Sequence, residues 1–128
     1  MREILFRGKR LDNGEWITGN FSKEPADSNY YIQPVGKNIC DVVNPETVGQ
    51  YTGVDDCTGR KIFEGDLVKG FDNYTGEMYQ DVTGLVKFYK GSFGAEWSGC
   101  FEPFSITDDE IIVIGNIHDN PELLKGGK

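Results

Sequence analysis

A chain of 128 residues, 38% hydrophobic and 27% charged, is long enough for one ordinary domain to bury roughly two thirds of its unfolded surface. Its 17 glycines disfavour long helices, because an interior Gly costs about 0.5–1 kcal/mol relative to Ala, and they suit short strands joined by many turns. A net charge of −8 opposes general binding to a polyanionic backbone, so direct nucleic-acid binding is disfavoured.

The charge is unevenly placed. Arg2, Arg7, Lys9 and Arg10 against Glu3 make the first ten residues basic. Glu102, Asp108, Asp109, Glu110, Asp119 and Glu122 make residues 101–122 acidic, with no Lys or Arg among them. The basic start alternates with apolar residues, which suits the wet face of a strand. Cys40, Cys57 and Cys100 form an odd set without close pairs, which argues against a disulfide framework or a zinc ribbon. With no apolar run of about 18 residues and no secretory leader pattern, the expectation is a cytoplasmic, reduced protein without a membrane segment.

In chain order, Glu3–Arg7 predicts a strand with Ile4 and Phe6 on one face. Asn13-Gly14 predicts a type I′ turn, and Glu15–Phe21 the returning strand of an N-terminal hairpin, residues 1–21. Ser22–Asn29 is a polar loop, and Tyr30–Pro34 a short strand stopped by its proline. Ile39–Val43 and Thr47–Tyr51 are extended pieces around Asn44-Pro45, and Val54–Arg60 is a tight polar loop. In Ile62–Val68 a turn feeds a strand: Gly65 supplies the bend, Asp66 bonds to nearby backbone N–H groups, and the pattern has SH3-like character.

Asp72–Glu77 is a polar loop, and Met78–Lys90 one long strand with Gly84 as a bulge or bend. Gly91–Gly94 turns the chain, Ala95–Trp97 returns it, and Phe101–Phe104 is extended but broken by Pro103. The unbroken apolar run Ile111–Ile114 predicts a central strand covered on both sides. Asn120–Leu124 allows at most one helical turn, with Pro121 following an Asn cap. The fold class is therefore mainly β, with little helix. Short antiparallel strands form a small, partly open barrel of SH3-like character. A boundary near Asn44 would leave too few residues for a separate core, so residues 1–124 read as a single domain, its barrel-like part about 45–118, before a flexible tail at 125–128.

Three segments carry a resemblance. The opening Met1–Arg10 with Gly14-Glu15-Trp16 and Gly19, the middle Thr47–Gly53 through Gly59, Lys61, Ile62, Glu64-Gly65-Asp66 and Val68, and the closing Val113–Leu123 are similar to the YopX family of phage- and prophage-encoded proteins. The resemblance implies a β-rich domain that assembles into oligomers, a phage origin and a place in the cytoplasm of a bacterial host. It brings no catalytic residues with it.

Little catalytic chemistry is on offer. His118 is the single histidine, and as a strand-end residue it reads as a turn partner before it reads as a ligand. Asp55, Asp56, Glu64 and Asp66 have a spacing that permits a divalent cation without requiring one. Cys57 lacks any neighbour that marks a nucleophile. No catalytic, cofactor or metal residues are assigned. The aromatics are the stronger signal, because Tyr30, Tyr31, Tyr51, Tyr74, Tyr79, Tyr89 and Trp97 together exceed the needs of one small core. Exposed rings anchor subunit interfaces or stack nucleobases, and the acidic balance favours the former. The candidate interaction surface is Tyr30, Tyr31, Tyr51 and Tyr74, with Asp108, Asp109 and Glu110. The leading expectation is a non-enzymatic binding module that self-associates, with a host or phage protein as a further partner. The alternatives are an acidic mimic of nucleic acid that binds a host protein, a small nucleic-acid-binding domain, and a metal-dependent enzyme.

Overall fold

The computed structural model describes residues 3–71, 83–104 and 110–126. The expected loop at 72–77 and the first part of the expected strand at 78–90 lie outside them. The chain packs as two compact units, residues 1–53 and 54–128.

In the first unit, β1 (Phe6–Lys9), β2 (Trp16–Lys23), β3 (Tyr30–Pro34), β4 (Asp41–Val43) and β5 (Gly49–Asp55) lie side by side in the order β4-β3-β2-β1-β5. Val43 of β4 stands opposite Tyr30 of β3, two residues from Ile32, so the buried Ile32 and Val43 share one face of the sheet. The far ends of β1 and β4 are drawn together by an isolated bridge, Arg10 to Val43. Leu11 N–H donates to Val42 C=O (3.0 Å) and Asn44 N–H donates to Lys9 C=O (2.8 Å). The sheet thus curls without closing into a ladder. A 3₁₀ turn, Pro45–Thr47, follows the Asn44 cap, whose side chain accepts from Glu46 N–H.

The strand opening the chain points the opposite way from expectation. Leu5 is buried and Ile4 is 55% exposed. Both phases of a period-2 pattern are apolar here, so alternation alone could not choose between them. The turn chemistry also differs. Gly14 has φ +71°, but Asn13 does not share a positive φ, so no type I′ turn forms. Instead Arg10 and Glu15 close a four-residue loop, with Gly14 N–H donating to Arg10 C=O and Glu15 N–H donating to Asn13 Oδ1. The loop between β2 and β3 repeats this design, with Ser28 (φ +62°) in the glycine position and Asp27 Oδ1 accepting from Asn29 N–H.

The second unit contains the short strand β6 (Lys61–Phe63). The strands β7 (Asp66–Phe71), β8 (Gly84–Tyr89), β9 (Ser92–Trp97), β10 (Cys100–Pro103) and β11 (Glu110–Asn116) form a five-stranded antiparallel sheet in the order β10-β9-β8-β7-β11. Its core is Ile62, Val68, Val86, Ala95, Ile111 and Val113, flanked by Trp97 and Phe104. Two hairpins here do use type I′ turns, at Lys90-Gly91 (φ +48° and +82°) and Ser98-Gly99 (φ +49° and +86°). The turn after Tyr89 is therefore two residues long, and β9 already begins at Ser92, inside the stretch expected to turn.

Two further expectations are corrected. Gly84 is the first residue of β8, in register with Trp97, and a Cβ there would stand 2.9 Å from the indole. It admits a ring and makes no bend; the irregularity in register lies instead between Val113 and Gly115. Ile111–Ile114 belongs to β11, which is an edge strand of its sheet and not a central one. After it, α1 (Pro121–Gly126) makes one and a half turns. The mainly β class with short antiparallel strands and little helix holds, as two open sheets with no closed barrel among the described residues. No helix among the described residues is long and apolar enough to cross a membrane.

Candidate interaction surfaces

The tightest polar site explains why an edge strand reads as a central one. Asp56, 6% exposed, accepts on Oδ1 from Thr58 N–H (2.9 Å), Thr58 Oγ1–H (2.6 Å) and Arg60 N–H (2.9 Å), and on Oδ2 from Val113 N–H (3.0 Å). Beside it Cys57 N–H donates to Ile111 C=O (3.0 Å). The 56–60 loop thereby takes the place of a further strand along the free edge of β11, which an apolar edge would otherwise offer to other chains. Burial works to raise the Asp56 pKa. The hydrogen bonds from Thr58, Val113 and Arg60 outweigh it and hold the carboxyl below its usual range.

A recess of about 200 Å³ opens next to this clasp, lined by Val54, Asp55, Asp56, Cys57, Phe104, Glu110 and Ile111. Glu110 is exposed at the start of β11. Partial burial, Asp56 and Glu110 all push the Cys57 thiol up, away from the thiolate a nucleophile needs. Asp66, 1% exposed, accepts from Phe63 N–H (2.8 Å) and closes the turn between β6 and β7. Among the described residues no three His, Cys, Asp or Glu side chains come together in a way that suits a metal ion.

His118 is exposed, and its backbone N–H, with that of Asp119, donates to Asn116 Oδ1. Asn116 N–H in turn donates to Asn120 Oδ1 (3.2 Å), and Asn120 N–H returns a bond to Asn116 C=O (2.8 Å). This knot requires Gly115, because a Cβ there would lie 2.6 Å from Asn120 Oδ1. The closing Gly-Asn-Ile-His-Asp-Asn-Pro stretch is thus a device for stopping β11 and starting α1.

The predicted interaction residues do not gather in one place. Tyr30 is half-buried in a ring series, 5.3 Å from Phe21, which lies 5.3 Å from Phe6, and Lys23 Nζ stands 5.4 Å over the Tyr30 ring. Tyr31 points to the opposite face, where its hydroxyl donates to Asp27 Oδ2 at 2.6 Å; that bond lowers the Asp27 pKa and raises that of Tyr31. Tyr51 is 7% exposed. Tyr74, Asp108 and Asp109 lie outside the described residues.

Among the described residues the most exposed rings lie elsewhere, at the tip of the β8–β9 hairpin. Phe88 is 52% and Tyr89 45% exposed. Phe88 meets Phe93 edge-on at 4.8 Å, while Tyr89, on the other face, meets Phe101 on β10 at 5.1 Å. Lys87 Nζ and Lys90 Nζ lie 6.0 and 5.4 Å over the Tyr89 ring, and Lys87 is also paired with Glu96 (2.9 Å). Tyr89 is among the aromatics singled out in the sequence, but the Phe88, Phe93 and Phe101 rings that make the rest of this patch are not. The signal that finds it is the pair of adjacent aromatics ending at Lys90-Gly91, since a two-residue turn leaves such rings without a covering strand.

No curated protein matches the chain. Among solved structures it is similar to protein EF1440 from Enterococcus faecalis, with a TM-score of 0.57 and 24% identity over 97% of this chain and 99% of that one, a likeness of fold. The pattern that defines the YopX protein family matches residues 5–125, most of both units. The chain therefore belongs to the YopX family.

Proposed function

We propose that this protein is a non-enzymatic binding module that acts as a self-associated assembly. The observation that carries this reading is the β8–β9 tip, where two adjacent aromatics, Phe88 and Tyr89, stand about half exposed on opposite faces of one strand. Large rings left in water on both faces of a hairpin are the kind of surface that partner binding covers. The buried carboxylates Asp56 and Asp66 are committed to backbone N–H groups, which favours a structural role for them over a catalytic one. A phage or prophage origin and a cytoplasmic place in the host, both implied by the family resemblance, belong to the same reading. Light scattering on the full chain at roughly ten times a micromolar dissociation constant tests it. The expected mass exceeds the 14.3 kDa of one chain, and a strict 14.3 kDa species defeats the proposal.

A further inference from the structure

We infer that Asn13 is a site of spontaneous, one-way covalent change, the loss of its side-chain amide as ammonia, and that the folded β1–β2 loop holds this change back. The inference is independent of the self-association proposed above. Asn13 is the one asparagine of eight that glycine follows; the other seven precede Phe, Tyr, Ile or Pro, whose bulk or missing N–H hinders the reaction. Asn13 and Gly14 are both exposed. Among the described residues nothing lies within 4 Å of where a Cβ on Gly14 would stand.

The chemistry needs only water. The Gly14 backbone nitrogen gives its proton to water and attacks Asn13 Cγ. A C–N bond forms there, the Cγ–Nδ2 bond breaks, and Nδ2 leaves as ammonia with a proton returned by water. Water then opens the cyclic imide at either of its carbonyls. Opening at Cγ gives an ordinary aspartate; opening at the backbone carbonyl leaves an isoaspartyl link, in which the main chain runs through Cγ.

The loop withholds both reacting groups. Gly14 N–H donates to Arg10 C=O (2.9 Å), so the nitrogen keeps its proton. Asn13 Oδ1 accepts from Glu15 N–H (2.9 Å), which turns the side-chain carbonyl toward Glu15. Attack requires the Gly14 bond to break first, the same opening that lets its amide hydrogen exchange. Arg10 N–H to Glu15 C=O (2.9 Å) closes the loop, and an isoaspartyl link inserts an extra carbon into that closed path and displaces the Gly14 bond. The base of the loop, where Leu11 N–H donates to Val42 C=O (3.0 Å), loosens with it.

Peptide mapping by mass spectrometry tests this on the full chain, incubated in mildly alkaline buffer with and without guanidinium chloride. Ammonia loss is expected at Asn13 before any other asparagine, and at least about tenfold slower in the folded chain, as two ordinary hydrogen bonds imply. Amide exchange at Gly14 in the folded chain is expected to be slowed by a similar factor. Equal rates in folded and unfolded chain, or faster loss when folded, overturn the guarding role. Loss from Asn13 in a folded chain whose Gly14 amide stays fully protected shows attack without opening and overturns it too. Asn13→Ser, at an exposed position, is expected to abolish the early mass gain; its persistence, or loss that begins at another asparagine, overturns the assignment of the site. The separated isoaspartyl chain is expected to exchange its Leu11 amide faster than the native chain, and an unchanged rate overturns the loosening.

Discussion

Asp56 accepts a hydrogen bond from the backbone N–H of Val113, a residue 57 positions later in the chain, and so ties a surface loop to the edge of β11. The carboxylate serves four donors at once, with a backbone N–H on each oxygen, so replacing it with an amide sets a donor against a backbone N–H whichever way the amide is turned. Asp56→Asn is expected to destabilise the second unit by about 2–3 kcal/mol, measured by urea unfolding at neutral pH. The effect depends on pH with a definite sign. The folded-state pKa lies below the ordinary 3.8, so the clasp stabilises fully above that value, and its contribution fades as pH falls toward the lower folded-state value. The gap between native chain and variant should therefore narrow only below about pH 4. A gap that stays constant into that range would mean that the charge of Asp56 contributes nothing.

The orientation of the opening strand gives a paired test. Leu5→Ala is expected to cost about 2–4 kcal/mol, whereas Ile4→Ala, at a side chain 55% exposed, should stay within about 0.5 kcal/mol. Thermal unfolding of both variants decides it; the reverse ranking would place Ile4 inside.

Gly115→Ala probes the knot at the end of β11. The added methyl would press on Asn120 Oδ1 and break its bond from Asn116 N–H, at an expected cost of about 1–3 kcal/mol. Amide exchange at Asn116 should quicken in the variant. Unchanged protection there would show that the Asn120 side chain relocates freely.

Ser98 holds a positive φ of +49° in a type I′ turn, a conformation that Asn tolerates better than Ser. Ser98→Asn should raise the urea midpoint by an amount worth roughly 0.5 kcal/mol. A lower midpoint would contradict the assigned turn.

Local chemistry decided what could be read from the sequence. Tyr30–Pro34 is a strand as expected because the proline that stops it acts on its own residue, and the Gly65-Asp66 turn is legible because Asp66 bonds only three residues away. Where two local solutions exist, reading fails. Asn13-Gly14 suits a type I′ turn, but the loop that forms uses the asparagine oxygen as an acceptor and gives the left-handed position to Gly14 alone. Ile111–Ile114 looks central because a loop more than fifty residues earlier covers its edge, and no window of adjacent residues contains that relationship. The aromatic surplus was visible in composition, but its location was not. Which rings stay exposed depends on the two-residue turn at Lys90-Gly91 and on the order of β8, β9 and β10.

Self-association through the β8–β9 tip is tested most directly by the solution mass of the intact protein and of a Phe88→Ser/Tyr89→Ser variant, compared by sedimentation equilibrium. The expected masses at one concentration are a multiple of 14.3 kDa for the native chain and 14.3 kDa for the variant, with unchanged circular dichroism. Equal masses for the two, whether both single or both assembled, would contradict a role of the tip in self-association.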